Sequence, residues 1–145
     1  MSDIPVWAPV ASSLISAVAL VFGVVQLRVN ERTRQRNNSD ALWRQDELLC
    51  IEHPDFAFPD ETKLDFEKES GKFGGCQQKF TSYEYFVSFL LYACEGIVTV
   101  YRTHSDWHES VMDELHWHKK YLTSEYFKKY LPTCSQRIRS LIALL

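Results

Sequence analysis

The chain has 145 residues, with 16 Lys and Arg against 19 Asp and Glu, so its formal net charge is −3. An acidic balance with no long basic stretch argues against nucleic acid as a partner. Its four cysteines (Cys50, Cys76, Cys94, Cys134) show no paired CxxC spacing.

The first element is a run of 24 residues without a charge, Ile4 to Leu27, followed by Arg28, Arg32, Arg34 and Arg36. As a helix such a run rises by about 36 Å, enough to cross a hydrocarbon core of about 30 Å. A secretory signal would carry basic residues before a shorter apolar core, whereas here only Asp3 precedes it. Trp7, between Pro5 and Pro9, suits the outer interface, and the arginines mark the cytoplasmic side. Residues 1–29 therefore read as a transmembrane anchor with its N-terminus outside and the bulk of the chain in the cytoplasm. In that reducing compartment the cysteines are expected as free thiols. Ser12, Ser16, Ala19, Gly23 and Gln26 recur at spacings of three and four and line one face of the anchor. Small residues let membrane helices approach closely and Gln bonds across the contact, so this stripe is a candidate surface for self-association or for another membrane protein.

About 118 residues follow the anchor, enough for one domain. Residues 30–52 lack Gly and Pro and read as a basic helical stalk continuing the anchor, ended before Pro54. Residues 53–79 form an acidic, Gly-containing stretch without periodicity, read as a long loop with room for a short helical turn near Glu61 to Glu69. Nine acidic residues lie between Asp46 and Glu69, against Lys63 and Lys68. From Lys119 onward six basic residues stand against Glu125 alone. The plainer reading is a bipolar surface whose halves face each other or solvent, the sharper one that this end and the four arginines face anionic head groups.

Residues 80–145 read as a helical bundle. Thr81 or Ser82 is expected to open a strong helix in which Tyr83, Phe86, Val87, Leu90, Leu91, Cys94, Ile97, Val98 and Tyr101 recur at helical spacing. It is apolar nearly all round and should be the central, buried helix. Its length allows a second membrane span, but Glu84 and Glu95 inside it argue against one. Ser105 is the expected cap of a helix from Asp106 to about Tyr121, Ser124 of a short helix stopped at Pro132, and Ser135 of the last helix. The fold class is therefore all-α: one N-terminal transmembrane helix and a small cytoplasmic helical bundle, with no convincing strand alternation.

The order of membrane helix, basic stalk, His53-Pro54, the central Tyr92-Ala93-Cys94-Glu95-Gly96-Ile97, a Trp-containing helix and Ser124-Glu125-Tyr126-Phe127 resembles an uncharacterised family of small bacterial single-pass membrane proteins with a cytoplasmic helical domain. The resemblance implies the bacterial inner membrane.

Two features invite chemistry. His104 and His108 are four apart, and His116 and His118 follow Asp113 and Glu114, so the histidines are candidate ligands of a metal-binding helical protein. Yet His116 and His118 fall on different faces, and amphipathic surface histidines are the plainer reading. Glu95 reads as a buried acid that needs a partner such as Arg102, with a proton-linked or ligand-binding acid as the alternative, and Gly96 beside it permits close packing against the Trp107 helix. No Gly-rich phosphate loop, nucleophile elbow or Cys–His nucleophile pattern occurs, so neither an enzyme nor a cofactor is expected. The expected function is a membrane-anchored binding or regulatory module acting at the cytoplasmic face through protein–protein contacts. The main alternative is an oligomerising, membrane-perturbing effector of defence or toxin type.

Overall fold

The computed structural model describes residues 8–67 and 70–145, with residues 8–15 described by their backbone only. Expectations resting on Asp3, Ile4, Pro5, Trp7, Lys68 and Glu69, and on the side chains of Pro9 and Ser12, lie outside the described residues. The chain divides into two compact units, Met1–Asn37 and Asn38–Leu145, and is mostly helical.

In the first unit the described part belongs to α1 (Ala8–Glu52). Every described side chain from Ser16 to Asn37 is exposed, including Val18, Leu20, Val21, Phe22, Val24, Val25 and Leu27.

The second unit takes the last turns of α1 and adds α2 (Pro54–Ala57), β1 (Leu64–Phe66), β2 (Gly71–Phe73), α3 (Gln77–Val100), α4 (Ser105–Trp117), α5 (Lys119–Leu122), α6 (Glu125–Lys128) and α7 (Gln136–Ile142). The strands pair antiparallel, Leu64 opposite Phe73 and Phe66 opposite Gly71. This hairpin corrects the expectation of an aperiodic loop without strands. Each strand has three residues, too few for alternation to show against the flanking acids. Lys120 holds it down, donating to the carbonyls of Glu61 and Leu64 while standing 5.8 Å from the Phe66 ring. Gly74 and Gly75, at φ 58° and 80°, then turn the chain toward α3 through a left-handed region that other residues rarely enter.

α3 begins earlier than Thr81. The Cys76 thiol accepts from the Lys79 amide, whereas Thr81 and Ser82 lie within the helix and donate back to Gln77 and Gln78. Its inner stripe is Phe80, Tyr83, Val87, Leu90, Ala93, Cys94 and Ile97, none more than 1% exposed. Among the residues whose side chains are described, α3 is the one helical stretch long and apolar enough to cross a membrane, but 44% of its most apolar window is already buried within the fold. It packs against β2, α4 and α7, as the central helix of a folded domain does.

The α4 helix stops at Trp117 instead of running to Tyr121. His118 breaks the helix and is fully buried, hydrogen-bonded through Nδ1 to the Tyr83 hydroxyl at 2.9 Å. Ser105 is the first residue of α4, not its cap, and its hydroxyl donates to Asp106. Ser124 and Ser135 do cap α6 and α7, accepting from the amides of Phe127 and Ile138. Gly96 allows close packing, but against Ser39 and Leu42 of α1 and not the Trp107 helix. The same stretch of α1 sets Trp43 edge-on to Trp107 at 5.7 Å, and Asp40 accepts from the Tyr101 hydroxyl at 2.7 Å.

A Cβ at Gly71 would overlap the ring of Phe80. That ring is enclosed by Phe66, Tyr83, Tyr121 and Tyr126, so it has nowhere to move. Gly71→Ala is expected to destabilise the domain by about 1–3 kcal/mol, the usual cost of overpacking. At Gly23, inside α1, a Cβ meets nothing within 4 Å, and Gly23→Ala should not lower stability. Urea unfolding of the full chain in detergent, followed by tryptophan fluorescence, compares the two.

Candidate functional site

The outer side of α3 forms one wall of a cleft of about 420 Å³. Glu84, Ser88, Tyr92 and Glu95 stand at spacings of four, four and three, which places them on one helical side. Tyr121 of α5, Phe127 of α6, Ile138 of α7, and Tyr130 and Cys134 between those last two helices, add to the lining. A short chain folds its far end back here because α6 and α7 bury Tyr126, Phe127, Ile138 and Leu141.

Glu84 is half-buried and accepts a hydrogen bond from the Tyr121 hydroxyl at 3.2 Å. Burial holds the Tyr121 hydroxyl protonated well above its ordinary range, with the neighbouring Glu84 charge adding to the effect. Tyr126 is shifted upward in the same direction, by burial first and then by hydrogen bonds to Glu84 and Tyr130. Glu84 is thus fixed by neutral donors that orient it without cancelling its charge. Tyr85 and Tyr92, 74% and 60% exposed, offer large aromatic surfaces at the mouth.

Glu95 lies at the other end of the cleft and is half-buried, a correction to the expectation of a buried acid. The helix is apolar on its inner stripe, and residue 95 falls one position beyond Cys94, on the side that the bundle leaves open. Among the described residues it has no hydrogen-bond or ion-pair partner, Arg102 included. Its charge and, before that, burial raise the nearby Cys134 thiol above its usual range.

The other expected residues are placed as follows. Arg28, Arg32, Arg34 and Arg36 are exposed in the first unit, as are Ser16, Ala19, Gly23 and Gln26 of the stripe. His104, His108 and His116 are exposed, while His118 is buried in the aromatic core. Among the described residues no group of three or more His, Cys, Asp or Glu side chains is placed to hold a metal ion, so the histidines do not form the ligand set considered from sequence. All four cysteines are free thiols.

Sequence reasoning missed the cleft. The Glu84–Ser88–Tyr92–Glu95 row was readable as a polar side of α3, but nothing local says that Tyr121 and Tyr130 close over it. It also missed Asp46, which is 2% exposed in the Asn38–Leu145 unit with Oδ1 unpartnered. Burial raises its pKa to about 7, and the charges of Glu114 and Glu47 push the same way. The Cys50 thiol is pushed up to about 12 by burial and then by Asp46.

Asp46 and His118 give opposite pH dependences. Burial lowers the His118 pKa to about 4, so its contribution to stability is complete above 6.5 and is lost as pH falls toward 4, about 3 kcal/mol in all. Burial raises the Asp46 pKa, so its contribution is complete below 3.8 and is lost as pH rises toward 7. Between pH 4 and 6.5 the two slopes oppose each other. Asp46→Asn removes one of them and should gain stability relative to wild type as pH rises from 4 to 7, leaving the His118 rise visible. Urea midpoints at half-unit pH steps measure this. No protein-family model, curated protein or solved structure matches the chain.

Proposed function

We propose that this chain is a single-pass, membrane-anchored binding module, with the Asn38–Leu145 domain at the cytoplasmic face holding a protein partner in the α3 cleft. The observation that carries the anchor is the bare apolar helix. Val18, Leu20, Val21, Phe22, Val24, Val25 and Leu27 are 43–71% exposed, and a soluble monomer seldom leaves so continuous an apolar surface in water. A bilayer is the apolar phase that such a helix takes, with Arg28 to Arg36 on the cytoplasmic side. The cleft supports the binding reading because tyrosine-rich concave surfaces with a few fixed polar groups are the usual anchors of protein interfaces. A second reading, an oligomerising effector, is favoured by the exposed face of Ser16, Ala19, Gly23 and Gln26, where small residues leave room for another helix.

The test is made in membranes of cells expressing the full chain with a C-terminal tag. The protein is expected to stay in the pellet through alkaline carbonate, and the tag to resist protease added to spheroplasts. Release by carbonate or digestion of the tag overturns the anchor or its orientation. A photoreactive residue at Tyr92 should yield one reproducible adduct with another protein, and one at the exposed Leu48 should not. Adducts only between copies, made from position 23, favour the effector.

A further inference from the structure

We propose that the α3 cleft takes an arginine-bearing, extended segment of its protein partner, the guanidinium groups seated between tyrosine rings and the carboxylates of Glu84 and Glu95. This rests on the binding-module reading and gives the chemistry of the occupant.

Charge is the first argument. The lining contains two carboxylates and no Lys or Arg. Glu84 is oriented by Tyr121 and Tyr126, neutral donors that leave its charge uncompensated. Glu95 has no hydrogen-bond or ion-pair partner among the described residues. Arg137 lines a shallow depression beside Glu95, but its Nη1 donates to the Thr99 hydroxyl at 2.7 Å. An anion would be repelled at both ends, and a purely apolar segment would strip water from two carboxylates without replacing it.

The aromatic lining is the second argument. Tyr85 and Tyr92 present exposed rings, and cations already rest on aromatic faces in this domain. Lys129 Nζ lies 3.9 Å from the Tyr126 centroid and 4.9 Å from that of Tyr130. A guanidinium is favoured over an ammonium because it stacks on a ring while pairing bidentately with a carboxylate.

Spacing separates a peptide from a small cation. Glu84 and Glu95 are eleven residues apart in one helix, about 16 Å along its axis. A single ammonium ligand or a choline head group satisfies one carboxylate and leaves the other. An extended chain advances about 3.3 Å per residue, so arginines about five positions apart reach both.

The probe is a fluorescein-labelled glycine–serine peptide with two arginines five positions apart, titrated by anisotropy against the full chain in uncharged detergent micelles at low salt. Saturable binding that weakens with added salt is expected. Glu84→Gln and Glu95→Gln should each weaken it at least fivefold, and Asp65→Asn, on β1, should not. The dilysine peptide should bind at least threefold more weakly, and the diglutamine peptide not at all. Glu84→Gln keeps an acceptor for Tyr121; should it unfold, Glu95→Gln decides alone. Equal binding of the arginine and glutamine peptides, arginine no better than lysine, or wild-type affinity in the glutamine variants overturns the proposal. If the Tyr92 adduct persists in that case, the binding-module reading stands without it. If the peptide binds as expected but no adduct forms in membranes, the partner reading falls and the guanidinium site remains.

Discussion

The structure of residues 38–145 depends on one stripe of α3. Phe80, Tyr83, Val87, Leu90, Ala93, Cys94 and Ile97 must stay dry together, and no single neighbour is large enough to cover them. The cover is therefore assembled from β2, α4, α7 and the end of α1. Each contributes a short contact tuned to the residue opposite: a bare Gly71 backbone against Phe80, and Ser39 against Gly96. Burying these side chains contributes roughly 1.5–3 kcal/mol for each large one. The small elements α2, α5 and α6, four residues each, cannot hold helical form alone and exist because that burial holds them.

The same constraint produces the cleft. A helix that turns one stripe wholly inward leaves the opposite side to solvent or to a partner. On α3 that outer side carries Glu84, Ser88, Tyr92 and Glu95. α5 to α7 cover its margin and stop short of its centre. The groove is thus a consequence of how the core closes, with Tyr121, Phe127 and Ile138 serving the core and the lining at once.

Some of this was legible in the residues themselves. The spacing of Tyr83, Val87, Leu90, Cys94 and Ile97 announced the central helix, and Ser124 and Ser135 announced their caps because capping is local chemistry. The hairpin was not legible, since three-residue strands leave no period to read. Glu95 misled because a helix with many apolar residues looks uniformly buried until its neighbours are known. His118 looked like one surface histidine among several, and only the break between α4 and α5 turns it inward. Asp46 was counted with its acidic neighbours, although α1 carries it into the core of the second unit. Each miss concerns a side chain whose environment is supplied by elements distant in sequence.

The Tyr83–His118 hydrogen bond has a consequence for uniqueness. The core around it is largely aromatic, Phe56, Phe73, Phe80, Phe86 and Tyr121 among its rings, and apolar shape by itself leaves several arrangements of a core to be told apart. Apolar contacts alone discriminate poorly among such arrangements. The buried Tyr83 hydroxyl and the Nδ1 of the buried imidazole do discriminate, because rotating α4 by one residue parts them, whereas Nε2 has no hydrogen-bond partner even in the observed packing. One hydrogen bond thus acts as a registration mark, fixing the break between α4 and α5 against α3.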